Sequence, residues 1–211
     1  MIQKISAIIP DEKLRNDLER YRQRAIELGA TDAKIITSDD VVVDERVRAK
    51  CLYPRCGEYG TNAHCPPHAM DLDQARRTVK SYRYSIFFRM EIPSAQFLGK
   101  GTEEKRARAS VQTYKIVGTV ESEAFFDGYH LALGFACGPC KVFLCPTQDC
   151  SALVPGQSCR HPLQARGSME GVGMDVFTMA ARVGWDVYPI GRRTSPADVP
   201  FAGRYGLVLI H

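Results

Sequence analysis

One cysteine spacing occurs twice in this 211-residue chain, and it constrains the fold more than any other sequence feature. Both triads follow the pattern C-x4-C-x8-C, and each cysteine of the second triad lies 94 positions after its counterpart in the first. The remaining two of the eight cysteines lie between the triads, in Cys137-Gly-Pro-Cys140. The triads are Cys51, Cys56 and Cys65, and Cys145, Cys150 and Cys159.

This pattern predicts two metal centres, one for each triad. An iron–sulfur cubane takes thiolates on four separate irons, so loops of mixed spacing suit it. A single zinc ion favours tight C-x2-C pairs that converge on one tetrahedron. Pro66 and Pro146 directly follow cysteines, a step common in cluster loops. The sequence therefore predicts two [4Fe-4S] clusters, with zinc as one alternative and free, redox-active or disulfide-bonded cysteines as another.

Cys137 and Cys140 are the predicted fourth ligands, so all eight cysteines are candidate cofactor and metal ligands. Cys140 is closer in sequence to the second triad and is expected to complete that site. Cys137 is expected to complete the first. A C-x2-C pair also fits a thioredoxin-like redox motif, but six further cysteines favour the ligand interpretation.

Other polar residues near the cysteines have alternative interpretations. Three histidines are possible ligands or hydrogen-bonding neighbours of a cluster: His64, His68 and His161. Four arginines are expected around the second cysteine loop, as an anion site or as surface ion pairs: Arg160, Arg166, Arg192 and Arg193.

Hydrophobic periodicity predicts an α/β or α+β fold of two pseudo-symmetric repeats, each ordered strand, helix, strand, cysteine loop, helix and strand. The repeats cover residues 1–92 and 93–211 and are expected to form one integrated domain. The predicted helices span residues 11–28, 71–80, 103–127 and 169–183. The predicted strands span residues 2–9, 33–37, 41–47, 83–92, 130–135, 185–190 and 204–210.

Composition limits the remaining function classes. The apolar fraction of 45% is ordinary for a globular protein, and the net charge of +4 includes no long Lys/Arg block, so no nucleic-acid partner is expected. The first ten residues are too short for a signal-peptide core, and no apolar run is long enough for a membrane span. We therefore expect a cytoplasmic location, where cysteines serve as ligands or redox groups more often than as disulfides.

The chain resembles an uncharacterised prokaryotic family of cysteine-rich predicted metal-binding proteins, common in anaerobes and archaea. The resemblance runs from Cys51 onward. It implies metal binding through cysteine and no established reaction. The chain departs from the family pattern at two positions: Gly167 stands where the family usually has a proline, and Cys137 is an additional cysteine. The motifs are Cys56-x2-Tyr59-Gly60-x4-Cys65-Pro66-Pro67, Glu121-x3-Phe125-x2-Gly128-Tyr129, Gly138-Pro-Cys140, Cys159-Arg-His-Pro162 and Arg166-Gly-Ser-Met-Glu170-x2-Gly173-Met-Asp-Val176.

Three functions fit these features. The first is electron transfer to or from a redox partner protein, through two clusters near a pseudo-two-fold axis. The second is an iron–sulfur enzyme in which one cluster iron is open to a small-molecule substrate. The third is a zinc-stabilised binding module without redox chemistry. The sequence leaves the oligomeric state open.

Overall fold

The structure is a computed structural model and describes residues 3–6, 8–191 and 193–211. Within these ranges the chain forms seven α-helices and one five-stranded mixed sheet. The helices are α1 (Asp11–Glu27), α2 (Glu45–Leu52), α3 (Leu72–Lys80), α4 (Ser94–Phe97), α5 (Glu103–Phe126), α6 (Cys140–Leu144) and α7 (Val176–Arg182). The strands are β1 (Asp32–Thr37), β2 (Tyr84–Pro93), β3 (Leu133–Ala136), β4 (Gly167–Ser168) and β5 (Phe201–Leu209).

The sheet has the order β1-β2-β5-β3-β4, with its two longest strands at the centre. β2 pairs antiparallel with β5 over nine residues, and Phe87 lies opposite Leu207. β1 pairs antiparallel with β2, and β3 pairs antiparallel with β5. The edge strand β4 pairs parallel with β3. The predicted α/β class is therefore confirmed as a mixed α/β architecture.

Alternate residues of the central strands face opposite helical layers, because side chains along a strand point to opposite faces. Ile86 and Phe88 pack in the core formed with α1 and α5. Phe87 and Leu207 pack in a second core with α3 and α7. The sheet thus lies between two helical layers, and the near-continuous apolar run in β2 reflects burial on both faces.

The helix α5 approaches the sheet closely because two strand residues opposite it have no side chain. A Cβ at Gly206 would overlap the Phe88 ring and lie 2.8 Å from a Val117 methyl carbon. A Cβ at Gly134 would overlap Val117 and Glu121. The Glu121 carboxylate instead accepts a 2.6 Å hydrogen bond from the Gly134 N–H. Close packing of α5 therefore depends on glycine at both positions.

A short backbone pairing ties the first cysteine loop to the segment that follows β4. Val43 forms an isolated antiparallel bridge with Met174. The Asp44 N–H donates to the Gly173 carbonyl at 2.8 Å, and the Asp175 N–H donates to the Val42 carbonyl at 2.8 Å. Since α2 begins directly after Asp44, this pairing positions the helix that carries Cys51.

Five predicted segments need correction. Residues 41–47 are not a strand, because the Asp44 side chain accepts the Arg46 N–H at 2.8 Å and starts α2. The helix predicted over residues 169–183 begins only at Val176, because Gly173 adopts φ +86° and Asp175 caps α7. Residues 130–132 precede β3 rather than belong to it. Residues 3–6, 8 and 9 form no strand, and the other residues of the predicted first strand lie outside the described ranges.

The predicted strand over residues 185–190 is also wrong. The Trp185 Nε1–H donates to the Asp32 carboxylate at 2.8 Å, and its ring lies 5.1 Å from the Phe87 ring between centroids. This segment covers the sheet face instead of joining its edge. The predicted repeats, with their boundary at residue 92, remain a prediction. None of the helices in the described part of the chain is long and apolar enough to cross a membrane.

A half-buried ionic network joins α1 to the turn after α5. The Asp17 carboxylate accepts hydrogen bonds from Lys13, from Arg20 at 2.7 Å and from the Tyr129 hydroxyl at 2.9 Å. Burial opposes ionisation, but the hydrogen bonds from Lys13 and Tyr129 and the charges of Lys13 and Arg20 hold the pKa of Asp17 below its usual 3.8.

Replacing Asp17 with asparagine should lower the free energy of unfolding by about 1 to 3 kcal/mol at neutral pH, since the ionic partners stay but the charge is lost. Because the pKa of Asp17 is depressed in the folded state, its contribution to stability is complete above pH 3.8. The contribution disappears as the pH falls through the lower pKa of the folded state. Urea unfolding across that range measures it. The exposed Asp39→Asn variant is the control, and an equal loss there would contradict the assignment.

Candidate metal centres

Four cysteines line one narrow cavity of about 20 Å³. They are Cys140, Cys145, Cys150 and Cys159. Cys140 opens the short helix α6, and Cys145 follows its last residue, so one helical turn separates these two thiols. The Ser151 hydroxyl donates to the Ser158 carbonyl at 2.8 Å and closes the loop between Cys150 and Cys159. We call this cavity the four-cysteine site.

The first triad lines a second, larger cavity of about 230 Å³. Cys51 lies in the last turn of α2, and the Cys56 N–H donates to its carbonyl at 3.0 Å, which turns the chain back. Gly60 adopts φ +79°, and its N–H donates to the Pro66 carbonyl at 2.7 Å, which returns Cys65 to the same cavity. We call this cavity the three-cysteine site.

The remaining wall of the three-cysteine site carries oxygen rather than sulfur. Among the described residues, no fourth thiol lines it. Two carboxylates line this wall. Glu58 belongs to the cysteine loop, and Glu170 belongs to the 3-10 turn Glu170–Val172. The other residues of this wall are Tyr59, Pro66, Gly138, Pro139, Ser168 and Gly171.

Cys137 lies in the core beside β3 and lines neither cavity. Its Sγ accepts a 3.7 Å hydrogen bond from the Arg204 guanidinium. Burial raises the pKa of the Cys137 thiol, and the Arg204 charge opposes this rise. The role of Cys137 as fourth ligand of the first triad therefore stays a prediction, and this placement does not support it.

A fully buried asparagine connects the two sites. The Cys140 thiol donates to the Asn62 Oδ1 at 3.9 Å, and the Cys65 N–H donates to the Asn62 backbone carbonyl at 3.4 Å. The Asn62 Oδ1 also accepts the His64 N–H at 3.0 Å, which fixes the amide within the cysteine loop. One residue thus contacts a cysteine of each site.

One thiol of each site is buried, Cys65 in the three-cysteine site and Cys140 in the four-cysteine site, and these two thiols lie close enough to influence each other's ionisation. Burial, with the charges of neighbouring cysteines and Glu58, raises the pKa of Cys65 to about 11. Burial and the charges of Cys65 and the other cysteines of the four-cysteine site raise the pKa of Cys140 to about 12. Both thiols are therefore protonated at neutral pH without metal, and metal binding would release their protons.

Comparison with known families supports metal binding by this chain. Residues 34–210 match the model of the family described as Predicted metal-binding protein (DUF2284). The chain belongs to this family. A search of curated proteins and a search of solved structures each found no significant match.

Both cysteine sites lie within the matched region of this metal-binding family, and all eight cysteines carry free thiols. The thiols line their cavities without converging on one point. Within residues 3–6, 8–191 and 193–211, no three His, Cys, Asp or Glu side chains are placed to hold a single metal ion. The identity of the metal is not fixed by family membership.

The histidines and arginines occupy more varied positions than the sequence suggests. His64 and His161 line the four-cysteine site, and the His161 N–H donates to the Cys159 Sγ at 3.3 Å. His68 lines a different pocket beside β3. Arg160 lines the four-cysteine site, whereas Arg166 pairs with Glu121 at 2.7 Å. Arg193 lies in the loop before β5, and Arg192 lies outside the described residues.

Asn62 and Glu170 are the residues that sequence reasoning missed as parts of the sites. Asn62 lies three positions before Cys65 in a loop rich in Gly, Pro and Asn, where an asparagine suggests only a turn. Glu170 belongs to the family-like motif, and from the sequence alone it could orient a loop, cap the helix or act as a catalytic acid, with no ligand role predicted. Asp175 in the same motif is a cap, since its carboxylate accepts the Thr178 N–H at 3.1 Å.

Replacing Asn62 with alanine should destabilise the cysteine loop. The change leaves the partly buried His64 N–H without its acceptor, so we expect the free energy of unfolding to fall by about 1 to 3 kcal/mol. Denaturant unfolding measures the loss. Asn16→Ala on the exposed face of α1 is the control and should be neutral or slightly stabilising. Equal changes in the free energy of unfolding for the two variants would exclude a structural role for the buried Asn62 amide.

Proposed function

We propose that this protein binds two [4Fe-4S] clusters, one in each cysteine site, and transfers electrons to or from a redox partner protein. The observation that carries the proposal is the grouping of Cys140, Cys145, Cys150 and Cys159 around one cavity. Four thiolates are the usual ligand set of a cubane cluster. The family supports metal binding in general, and the donor set supports iron–sulfur in particular.

The residues of the four-cysteine site fit such a group chemically. Bound clusters would supply one-electron oxidation and reduction. The chain itself supplies soft sulfur donors, excludes water from Cys140, and places Lys141 and Arg160 beside the site. Positive side chains next to an anionic cluster favour its reduced form.

The proximity of the two sites supports electron exchange between them. Asn62 hydrogen bonds Cys140 of the four-cysteine site through its side chain and Cys65 of the three-cysteine site through its backbone carbonyl. A single residue therefore bridges the two ligand sets. Two centres in this arrangement suit a relay better than two independent structural metals.

A second candidate function rests on the three-cysteine site. Its cavity of about 230 Å³ is bordered by Glu58, Glu170 and Ser168, and no fourth thiol lines it among the described residues. A centre held by three thiolates leaves one metal position for an oxygen ligand or a small-molecule substrate. This arrangement favours an enzyme over a simple carrier, and the zinc-stabilised module remains the alternative without redox chemistry.

We also propose that the chain arose by internal duplication of residues 1–92 and 93–211. The sheet order supports this, since β1 lies outside β2 as β3 lies outside β5, and α1 and α5 pack in the same core. Strand β4 has no counterpart in the first half, and α6 is shorter than α2. An experimental structure tests the duplication by superposing the two halves with the triads in register.

Replacing one ligand in each site tests the two-cluster proposal. Cys150→Ser should remove the cluster of the four-cysteine site, and Cys56→Ser that of the three-cysteine site. Each variant should therefore lose about half of the iron and sulfide bound by the wild type. Anaerobic purification, iron and sulfide assays and EPR of the dithionite-reduced proteins measure the outcome.

The two variants act as controls for each other, because each should retain the spectrum that the other loses. Both should also unfold at lower denaturant concentration, since ligand bonds contribute to folding free energy. The same residual EPR spectrum in both variants, or loss of all the iron in either one, would argue against two separate clusters.

A further inference from the structure

Glu170 is fixed at the three-cysteine site by two donors that bind the same carboxylate oxygen. Its Oε2 accepts the Ser168 hydroxyl at 2.7 Å and the Gly138 N–H at 3.2 Å. Among the described residues, its Oε1 accepts no hydrogen bond. The carboxylate is thus held in a defined orientation, with one oxygen free to bind a further group in the cavity that it lines.

The turn that carries Glu170 is joined to the helix that carries Cys51. An Arg48 Nη1–H donates to the Gly171 carbonyl at 3.2 Å and also to the Met70 carbonyl. Arg48 and Cys51 are three residues apart on α2, so they lie on one face of the helix. Carboxylate and thiol are therefore positioned by a common element.

The same turn also packs directly against the chain beside Cys65. A Cβ at Gly171 would lie 3.2 Å from the His64 carbonyl oxygen and 3.6 Å from Pro66. The Gly171 N–H donates to the Ser168 hydroxyl at 3.2 Å, which keeps the turn compact. A side chain at this position would push the wall with Glu170 and the cysteine loop apart by a few tenths of an ångström.

Two other side chains, those of Cys137 and Glu58, are less suitable than Glu170 as a fourth metal-binding group beside the three thiols of this site. Cys137 lies in the core, where its thiol contacts Arg204 and lines neither cavity. The Glu58 carboxylate accepts the Thr61 hydroxyl at 2.8 Å and belongs to the same loop as Cys56 and Cys65. Glu170 comes from a different segment, the turn after β4, and lines the same cavity as the three thiols.

We infer that Glu170 is the fourth protein ligand of the iron–sulfur centre at the three-cysteine site, binding one iron through a carboxylate oxygen. The inference rests on the proposed function. Carboxylate is a harder ligand than thiolate and is more readily displaced from a cluster iron by an incoming group. The three-cysteine site would therefore hold one exchangeable iron position, whereas the four-cysteine site would not.

Glu170→Gln is the decisive variant, because glutamine keeps the size and the oxygen that accepts the Ser168 and Gly138 hydrogen bonds but is a poor iron ligand. We expect the anaerobically loaded variant to lose about one of its eight irons on mild oxidation, under conditions in which the wild type retains them. The reduced EPR signal of the three-cysteine site should change, and that of the four-cysteine site should not.

Glu58→Gln and Cys137→Ala are the matched controls and should retain iron like the wild type. Glu170→Cys should also retain it, with a spectrum of ordinary four-thiolate character. Iron loss caused by Cys137→Ala or Glu58→Gln but not by Glu170→Gln would overturn the inference, as would unchanged iron and EPR in Glu170→Gln. A wild type that binds zinc without sulfide would overturn the proposed function as well, which distinguishes the two failures.

Discussion

The burial of closely placed thiols, which opposes their ionisation, is the constraint on which the two sites depend. Cys140 is buried beside Cys65 and the rest of its own site, and these neighbours help to raise the pKa of its thiol to about 12. Deprotonating several such groups together is unfavourable unless a positively charged metal centre replaces the protons. The central sheet and its two helical layers therefore hold the sulfur atoms together in positions where they lose their protons only to a bound metal centre.

The sheet positions both cysteine loops through strand pairing outside the loops themselves. The antiparallel pairing of β2 with β5 places the two halves of the chain side by side, and the bridge between Val43 and Met174 joins their connecting segments. This bridge positions α2 and the Glu170 turn together. As a result, residues far apart in sequence form a single cavity, and Asn62 links that cavity to the neighbouring one.

Sequence reasoning predicts α1, α3, α5 and β2 close to their observed bounds, because apolar stripes, flanking Gly or Pro residues and a buried apolar run mark them. It fails where turn chemistry outweighs propensity, as at Asp44, and where a left-handed glycine interrupts a helical pattern, as at Gly173. The cysteine spacing identifies the candidate ligands. It does not reveal that Cys137 turns into the core while Glu170 reaches the cavity, because both depend on long-range packing.

The most direct measurement is iron, acid-labile sulfide and zinc content of the anaerobically prepared wild-type chain. Two cubane clusters predict about eight irons and eight sulfides per chain, with a brown colour that bleaches with dithionite. A colourless protein with about two zinc ions and no labile sulfide would contradict the account.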